Sequence, residues 1–341
     1  MKVARLYSFN DLRIEEIERP RPGDKEALIR VRASGICSGD AMRWYIEKKA
    51  PLVLGHEPSG EIIEIGRDVE GFRIGDRVFV HHHAPCMRCR FCLRGDYVQC
   101  SEWKSSRIIP GGISEYILVP EGILKNDTLL LTDNITFEDA TLIEPTACVV
   151  KSLRRAGIKK GDTVLVIGLG VMGMIHILLL KEMGAGMIIG ADMVGFRLHR
   201  ALELGADRVI DVRREGLKAS VLELTDERGA DIVIVGPNSV EAMRSGIECA
   251  APGGSVLFFT PAMPDERLTI DPNYIYFNDI SIITSYSCGP DDTVEALRYI
   301  HEGVVNAEKL ITHRFRIDDT ALAYRVVARA EESLKVIITF D

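Results

Sequence analysis

The chain has 341 residues, with 42 lysines and arginines against 50 aspartates and glutamates, a formal charge of −8; 46% of its residues are hydrophobic and 27% charged. This balance excludes a disordered or fibrous chain, and the length allows two domains that each bury a core. A net negative chain lacks the basic surface that nucleic acid demands, and no run reaches the roughly 20 apolar residues of a membrane span. The opening MKVARLYSFNDLRIEE carries charges where a signal peptide needs an apolar segment, so a soluble, cytoplasmic protein with neither nucleic-acid nor membrane partners is expected.

The first half reads as short strands between Gly and Pro turns: 27–34, 60–66, 76–80 and 114–119. In 27–34, Leu28, Arg30 and Arg32 alternate with Ile29, Val31 and Ala33, the pattern of a half-buried strand. Within this β-rich stretch, Cys86, Cys89, Cys92 and Cys100 fall inside fifteen residues. Clustered thiols in a long, non-secreted chain point to metal rather than disulfides, and four thiolates close a tetrahedral zinc, leaving no position for chemistry. A redox role for the Cys-x2-Cys pairs is the rival reading, without a thioredoxin-like pattern to accompany it. His81, His82 and His83, just upstream, are expected on a loop at the mouth of the catalytic cleft, since four sulfurs already satisfy the zinc.

From about residue 158 the rhythm changes to strand (162–168), helix (171–185), strand (186–192), helix (196–206), strand (207–211), helix (218–230), strand (231–236), helix (240–250) and strands at 253–260 and 279–286. Such alternation predicts crossover units and a doubly wound parallel sheet of Rossmann type. A helix, strand, helix and closing strand follow from about 287.

Gly168, Gly170 and Gly173 form G-x-G-x-x-G with Leu169, Val171 and Met172 between them, directly after a strand and opening a helix. In that context the first glycine permits the turn, the second admits a pyrophosphate and the third lets helix and sheet approach. Asp192 ends the next strand, 22 residues after Gly170, where its carboxylate would accept a ribose diol and repel a 2′-phosphate. NAD is therefore favoured over NADP, although Arg197 would suit either. Val235, at the end of 231–236, joins the cofactor-binding set.

Further residue types complete the picture: Cys37, Ser38 and Asp40; His56 and Glu57; and Glu144 before Pro145. Taken in this order with the cysteine lobe and the glycine turn, and with GFRIGDRV, GGISEYILVP, APGG and LITHRF, they resemble the zinc-dependent medium-chain alcohol and polyol dehydrogenases across essentially the whole chain. The resemblance implies a GroES-like catalytic domain over 1–147 with its zinc lobe at about 84–102, a Rossmann domain over 148–285, and a segment 286–341 returning to the first. It also implies a catalytic zinc held by Cys37 and His56, with Glu144 where ethanol-type members have cysteine and the sorbitol and threonine branches have glutamate. Glu57 matches a carboxylate that binds zinc or exchanges with water, and Asp40 one that orients the histidine. A homo-oligomer, dimer or tetramer, is implied in the same way.

Two positions depart from the family. Gly39 stands where a relay Ser or Thr is usual, and Met42 where many members have histidine, so Ser38, Glu57 or a water chain toward His81–His83 are the proton-relay alternatives. The reading is a zinc- and NAD-dependent dehydrogenase of secondary alcohols such as polyols or cyclitols, with two zinc ions per chain; Glu144 tilts the substrate away from ethanol. L-threonine 3-dehydrogenase-like activity, a zinc-free NADPH-dependent quinone or enoyl reductase, and an NAD-binding protein without turnover are the alternatives. Arg43, Trp44 and Tyr45 are expected to line the substrate pocket, Arg43 by hydrogen-bonding hydroxyls or an anion.

Overall fold

A computed structural model describes residues 1–341. The chain separates into two units, Met1–Ala147 with Cys288–Asp341, and Cys148–Ser287. No helix is long and apolar enough to cross a membrane.

In the first unit the alternating run forms the strand Ala27–Gly35, with Arg30 and Arg32 half-buried between the fully buried Ile29, Val31 and Ala33. It sits at the centre of a sheet ordered Ile311–Arg316, Lys335–Thr339, Ala27–Gly35, Glu57–Ile65, Arg77–Val80, Thr128–Leu130, with Tyr116–Val119 also paired to it. Asp11–Glu16, Lys2–Ser8 and Leu52–Val53 make a second, three-stranded sheet. Ile29, Val31, Ile62, Val78 and Ile117 pack one core of this unit, and Ile36, Ile46, Leu54, Ile113 and Ile338 another.

Register is what positions the chemistry. Gly35 lies opposite Glu57 on one side and Ile337 on the other, so three chain segments converge at one end of the strand. A side chain at Gly35 has no room there: a Cβ would overlap Glu57 Oε2 and come within 2.7 Å of Lys335 Cε. Gly35→Ala is expected to lower unfolding free energy by about 1–3 kcal/mol, the cost of forcing atoms into a packed core; a wild-type midpoint in urea would contradict this packing.

The second unit carries six strands in the order Arg208–Asp211, Met187–Asp192, Thr163–Ile167, Ala230–Val235, Ala250–Phe258, Ser281–Thr284, all parallel. Numbered along the chain this is 3-2-1-4-5-6, the doubly wound order. The first helix, Val171–Met183, is buried almost all round because the sheet and its neighbours cover it. The helical pattern at 218–230 ends early, giving Leu217–Leu224. Thr225 Oγ1 donates to Val221 O at 2.7 Å and accepts from Gly229 N at 3.0 Å, and Asp226 and Glu227 take positive φ of 51° and 63°. A hydroxyl that bonds back to the preceding turn and two left-handed residues stop the helix. The helix Ile143–Ala156 was not legible as one, since Pro145 breaks the pattern; within the first turn proline is tolerated, because its missing N–H has no partner there.

Candidate active site

Cys37 leaves the central strand and caps the short turn Ser38–Ala41, its sulfur accepting from Gly39 N at 3.3 Å. His56 precedes the strand Glu57–Ile65, so the register that pairs Gly35 with Glu57 delivers the three ligand types together. The ligand atoms of Cys37, His56 and Glu57 lie within 4.8 Å of one another. Asp40, buried in the turn, places Oδ2 3.4 Å from His56 Nδ1, which orients the ring as a carboxylate behind a metal-bound imidazole does. Burial works against a charged His56, yet Asp40, Cys37 and Glu144 outweigh it and raise its pKa well above the ordinary value. The spot therefore favours positive charge, the electrostatic condition for a cation.

Glu57 is itself held from behind. Lys335, opening the last strand, forms an ion pair with Glu57 Oε2, and both side chains are only 1% exposed. The ammonium also donates to Ile36 O at 3.2 Å. Burial pushes the Glu57 pKa up and Lys335 restrains it. Sequence reading missed Lys335, for which the only signal was a lysine opening an apolar closing strand. It also missed Tyr324 of the helix Thr320–Arg329: its phenol is raised well above its usual pKa by burial and by the charges of Asp40 and Cys37.

Glu144, in the first turn of Ile143–Ala156, groups with His81 and His82 rather than with the Cys37 set, their ligand atoms within 4.8 Å. The three consecutive histidines do not share one loop environment as expected. His81 is fully buried, its Nδ1 2.6 Å from Asp127 Oδ2, while Asp127 Oδ1 accepts from Thr293 Oγ1 at 2.6 Å. His82 is half-buried, 4.9 Å from the His56 ring centre, and its Nδ1 is buried without a partner. Burial, then the neighbouring charge of His56, pushes its pKa well down. His83 packs 4.6 Å from Trp103 and donates from Nδ1 to Ser106 O; burial lowers its pKa to about 4.

The four lobe cysteines converge, with Cys89 Sγ 3.5 Å and Cys86 Sγ 3.9 Å from Cys92 Sγ and all four ligand atoms within 4.8 Å. Backbone N–H groups of Arg88 and Cys89 draw the Cys86 thiol down to about 6, and burial pushes Cys92 up to about 12. Cys92, Cys100, Tyr97, Val98 and Trp103 form a small core of their own, which a bound cation would complete.

In the second unit the three glycines do separate jobs. Gly168 has φ +87° and a Cβ there would meet Pro237 Cδ at 2.8 Å; at Gly173 it would overlap Gly168 O; at Gly170 it would meet nothing within 4 Å. The middle glycine thus keeps an open approach at the helix N-terminus, where a pyrophosphate fits. Asp192 accepts from Leu169 N (2.7 Å), Met193 N (2.7 Å) and Val194 N (2.9 Å), and Arg197 Nη1 stands 3.7 Å from it. Val235 ends its buried strand beside Ile167, the residue before Gly168.

Comparison with known proteins agrees with this geometry. Residues 23–127 match the alcohol dehydrogenase GroES-like domain and residues 171–302 the zinc-binding dehydrogenase family. The chain is 33% identical to a sorbitol dehydrogenase of Halalkalibacterium halodurans, over 99% of this chain and 98% of that protein. Its fold matches 2R,3R-butanediol dehydrogenase from Bacillus subtilis with a TM-score of 0.88 at 26% identity, covering 100% and 99% of the two chains. It matches equally, at TM-score 0.88 and 26% identity over 99% of each chain, a protein from Sinorhizobium meliloti described as a zinc-binding dehydrogenase bound to NADP. The chain belongs to the zinc-dependent medium-chain dehydrogenase family.

The structure also places Ser38, Arg43, Trp44 and Tyr45 of this dehydrogenase, and the expectation for Arg43 changes. Ser38 is exposed at the start of its turn, next to Cys37. Arg43 is 67% exposed and donates from Nε to Glu47 Oε1 at 3.1 Å; this is a surface i,i+4 pair rather than a substrate clamp. Trp44 is half-buried, with a buried indole N–H that has no partner, while the Lys49 ammonium lies 3.7 Å from the Tyr45 ring centre.

The His81–Asp127 pair predicts a pH effect. Burial lowers the His81 pKa, but Asp127 overrides it and the net shift is upward. A raised histidine contributes stability that is full below the unfolded pKa of about 6.5 and lost as pH rises through the folded value. Asp127→Asn should therefore cost about 3 kcal/mol near pH 6 and less at pH 8. Urea unfolding at both pH values checks this; a pH-independent difference contradicts it.

Proposed function

We propose that the protein oxidises secondary alcohols of the polyol class with NAD, using a catalytic zinc at Cys37, His56 and Glu57 and a structural zinc at Cys86, Cys89, Cys92 and Cys100. The observation that carries the reading is the convergence of a thiol, an imidazole and a carboxylate, backed by Asp40 and Lys335, at the end of the central strand. Zinc, when bound, supplies Lewis acidity toward an alcohol oxygen. The chain's own residues do the rest. Cys37 and His56 would fix the ion's place, and Asp40, 3.4 Å from His56 Nδ1, favours the tautomer that carries its proton on Nδ1. Lys335 holds the Glu57 carboxylate in reserve as an exchangeable ligand. Glu144, beside His81 and His82, adds a carboxylate at the edge of the cluster.

NAD is the proposed cofactor because Asp192 sits at the end of the second strand, held by three backbone N–H groups, where its charge opposes a 2′-phosphate. Asp192→Asn should raise KM for NAD and narrow the preference over NADP; a wild type that already prefers NADP contradicts the assignment. We further propose a homo-oligomer, dimer or tetramer. The edge strand Ser281–Thr284 is paired on one side only, with Ile282 36%, Tyr276 79% and Phe277 78% exposed. Eight free thiols suit a reducing cytoplasm.

Metal analysis with a panel of alcohols tests the whole reading. The purified protein should hold two zinc ions per chain. Cys37→Ala should leave the lobe zinc and the thermal midpoint nearly intact while turnover falls by at least about a thousandfold. Cys92→Ala should instead lower the midpoint by several degrees, because lobe ligation is folding free energy. One zinc or none in the wild type, measured by plasma mass spectrometry, overturns the two-site assignment.

A further inference from the structure

The run His81-His82-His83 supplies three imidazoles of identical chemistry, and the structure assigns two of them. His81 gives its Nδ1 to Asp127 at 2.6 Å and sits with Nε2 3.7 Å from Cys288 Sγ. His83 gives its Nδ1 to Ser106 O and packs on Trp103. His82 alone has a buried ring nitrogen, Nδ1, with no hydrogen-bond partner. Its ring centre is 4.9 Å from that of His56, and its ligand atom lies within 4.8 Å of those of His81 and Glu144.

A buried polar atom left unpaired is unfavourable, and native proteins seldom keep one without use. An imidazole offers a donor or an acceptor according to tautomer, which matches a hydroxyl group. An alcohol whose oxygen shares the metal with His56 brings its next carbon to the neighbourhood of His56, and therefore of His82. If that carbon carries a hydroxyl, Nδ1 gains its partner; if it carries only hydrogens, Nδ1 stays buried and unpaired. We infer that His82 is a specificity-determining residue that recognises a second hydroxyl group adjacent to the reacting carbinol, and so selects vicinal diols and polyols over simple secondary alcohols. The inference rests on the polyol reading above and names the residue that enforces it. The other arrangement open to these atoms is that His82 binds the metal itself, and the test separates the two.

The probe pair is butane-2,3-diol, each stereoisomer in turn, against butan-2-ol, which differs by the one hydroxyl. Two variants are compared with the wild-type holoenzyme: His82→Phe, which keeps the ring and removes both nitrogens, and His82→Asn, whose amide returns a polar group near the Nδ1 position. In wild type the diol should be preferred in kcat/KM. His82→Phe should lower the diol-to-monoalcohol ratio about ten- to a hundredfold, mainly through KM for the diol. His82→Asn should recover most of that ratio. Zinc content should stay at two per chain in both variants. The dissociation constant of the diol from the complex with reduced cofactor, followed by cofactor fluorescence without turnover, should weaken by the same factor in His82→Phe. An unchanged ratio in His82→Phe with zinc intact overturns the inference and leaves the polyol reading standing. Loss of a zinc ion in His82→Phe overturns it in favour of metal ligation. A wild type that oxidises butan-2-ol but not the diol removes the polyol reading and the inference together.

Discussion

A carboxylate with 1% of its surface exposed persists as an anion only where a cation or several donors stand against it. Glu57 meets that condition through Lys335, and the surroundings are built to allow the pair. Gly35 has no Cβ because Glu57 Oε2 and Lys335 Cε occupy the space one would need. The lysine comes from the closing strand, Lys335–Thr339, which pairs with the far side of the strand that Glu57–Ile65 borders. The first unit therefore depends on its C-terminal strand for charge balance beside Cys37 and His56 as well as for sheet closure, and a chain lacking Lys335 would leave a buried charge uncompensated. In sequence these partners are almost three hundred residues apart; in register they are two strands either side of Gly35.

The cofactor turn obeys a different constraint, one of space rather than charge. Gly173 lets the helix Val171–Met183 sit directly on Gly168 O, and Gly168 takes a backbone angle that L-residues avoid. Asp192 then closes the turn by accepting a hydrogen bond from Leu169 N, so the carboxylate proposed to meet the ribose also fixes the glycine loop. Replacing that carboxylate loosens the turn as well as the cofactor preference, so KM changes at Asp192 are best read beside the stability of the second unit.

Much of this was legible in one dimension for physical reasons. The Rossmann order follows from strand–helix alternation, and the lobe follows from four thiols at short spacing, since both are local in sequence. The members of the Cys37 cluster were legible only together, because a thiol, an imidazole and a carboxylate have ordinary uses one by one. What escaped was non-local or depended on side-chain direction. Lys335 reads as a solvated residue at a strand start. Arg43 reads as a substrate clamp until its guanidinium is found on Glu47. Glu144 sits with His81 and His82 because its helix begins there, behind a proline that hid the helix. Thr225, which ends a helix six residues before its apolar pattern does, is a case of side-chain chemistry overriding periodicity.

The histidine run carries this argument furthest. Three identical residues in succession look like a metal-binding tract or a solvated loop, yet each follows a different rule here. His81 continues the strand Arg77–Val80 inward and is paired by Asp127, which raises its pKa against the effect of burial. His83 is turned against the lobe and stays neutral because burial against Trp103 disfavours its charge. His82, between them, packs its ring 4.1 Å from that of His83 and 4.9 Å from those of His81 and His56. Around His56 stand Asp40, Cys37 and Glu144, which together raise its pKa well above the ordinary value against the effect of burial. Burial and the neighbouring charge of His56 hold the His82 pKa well down, and a neutral imidazole can donate to or accept from an uncharged hydroxyl group without adding another charge.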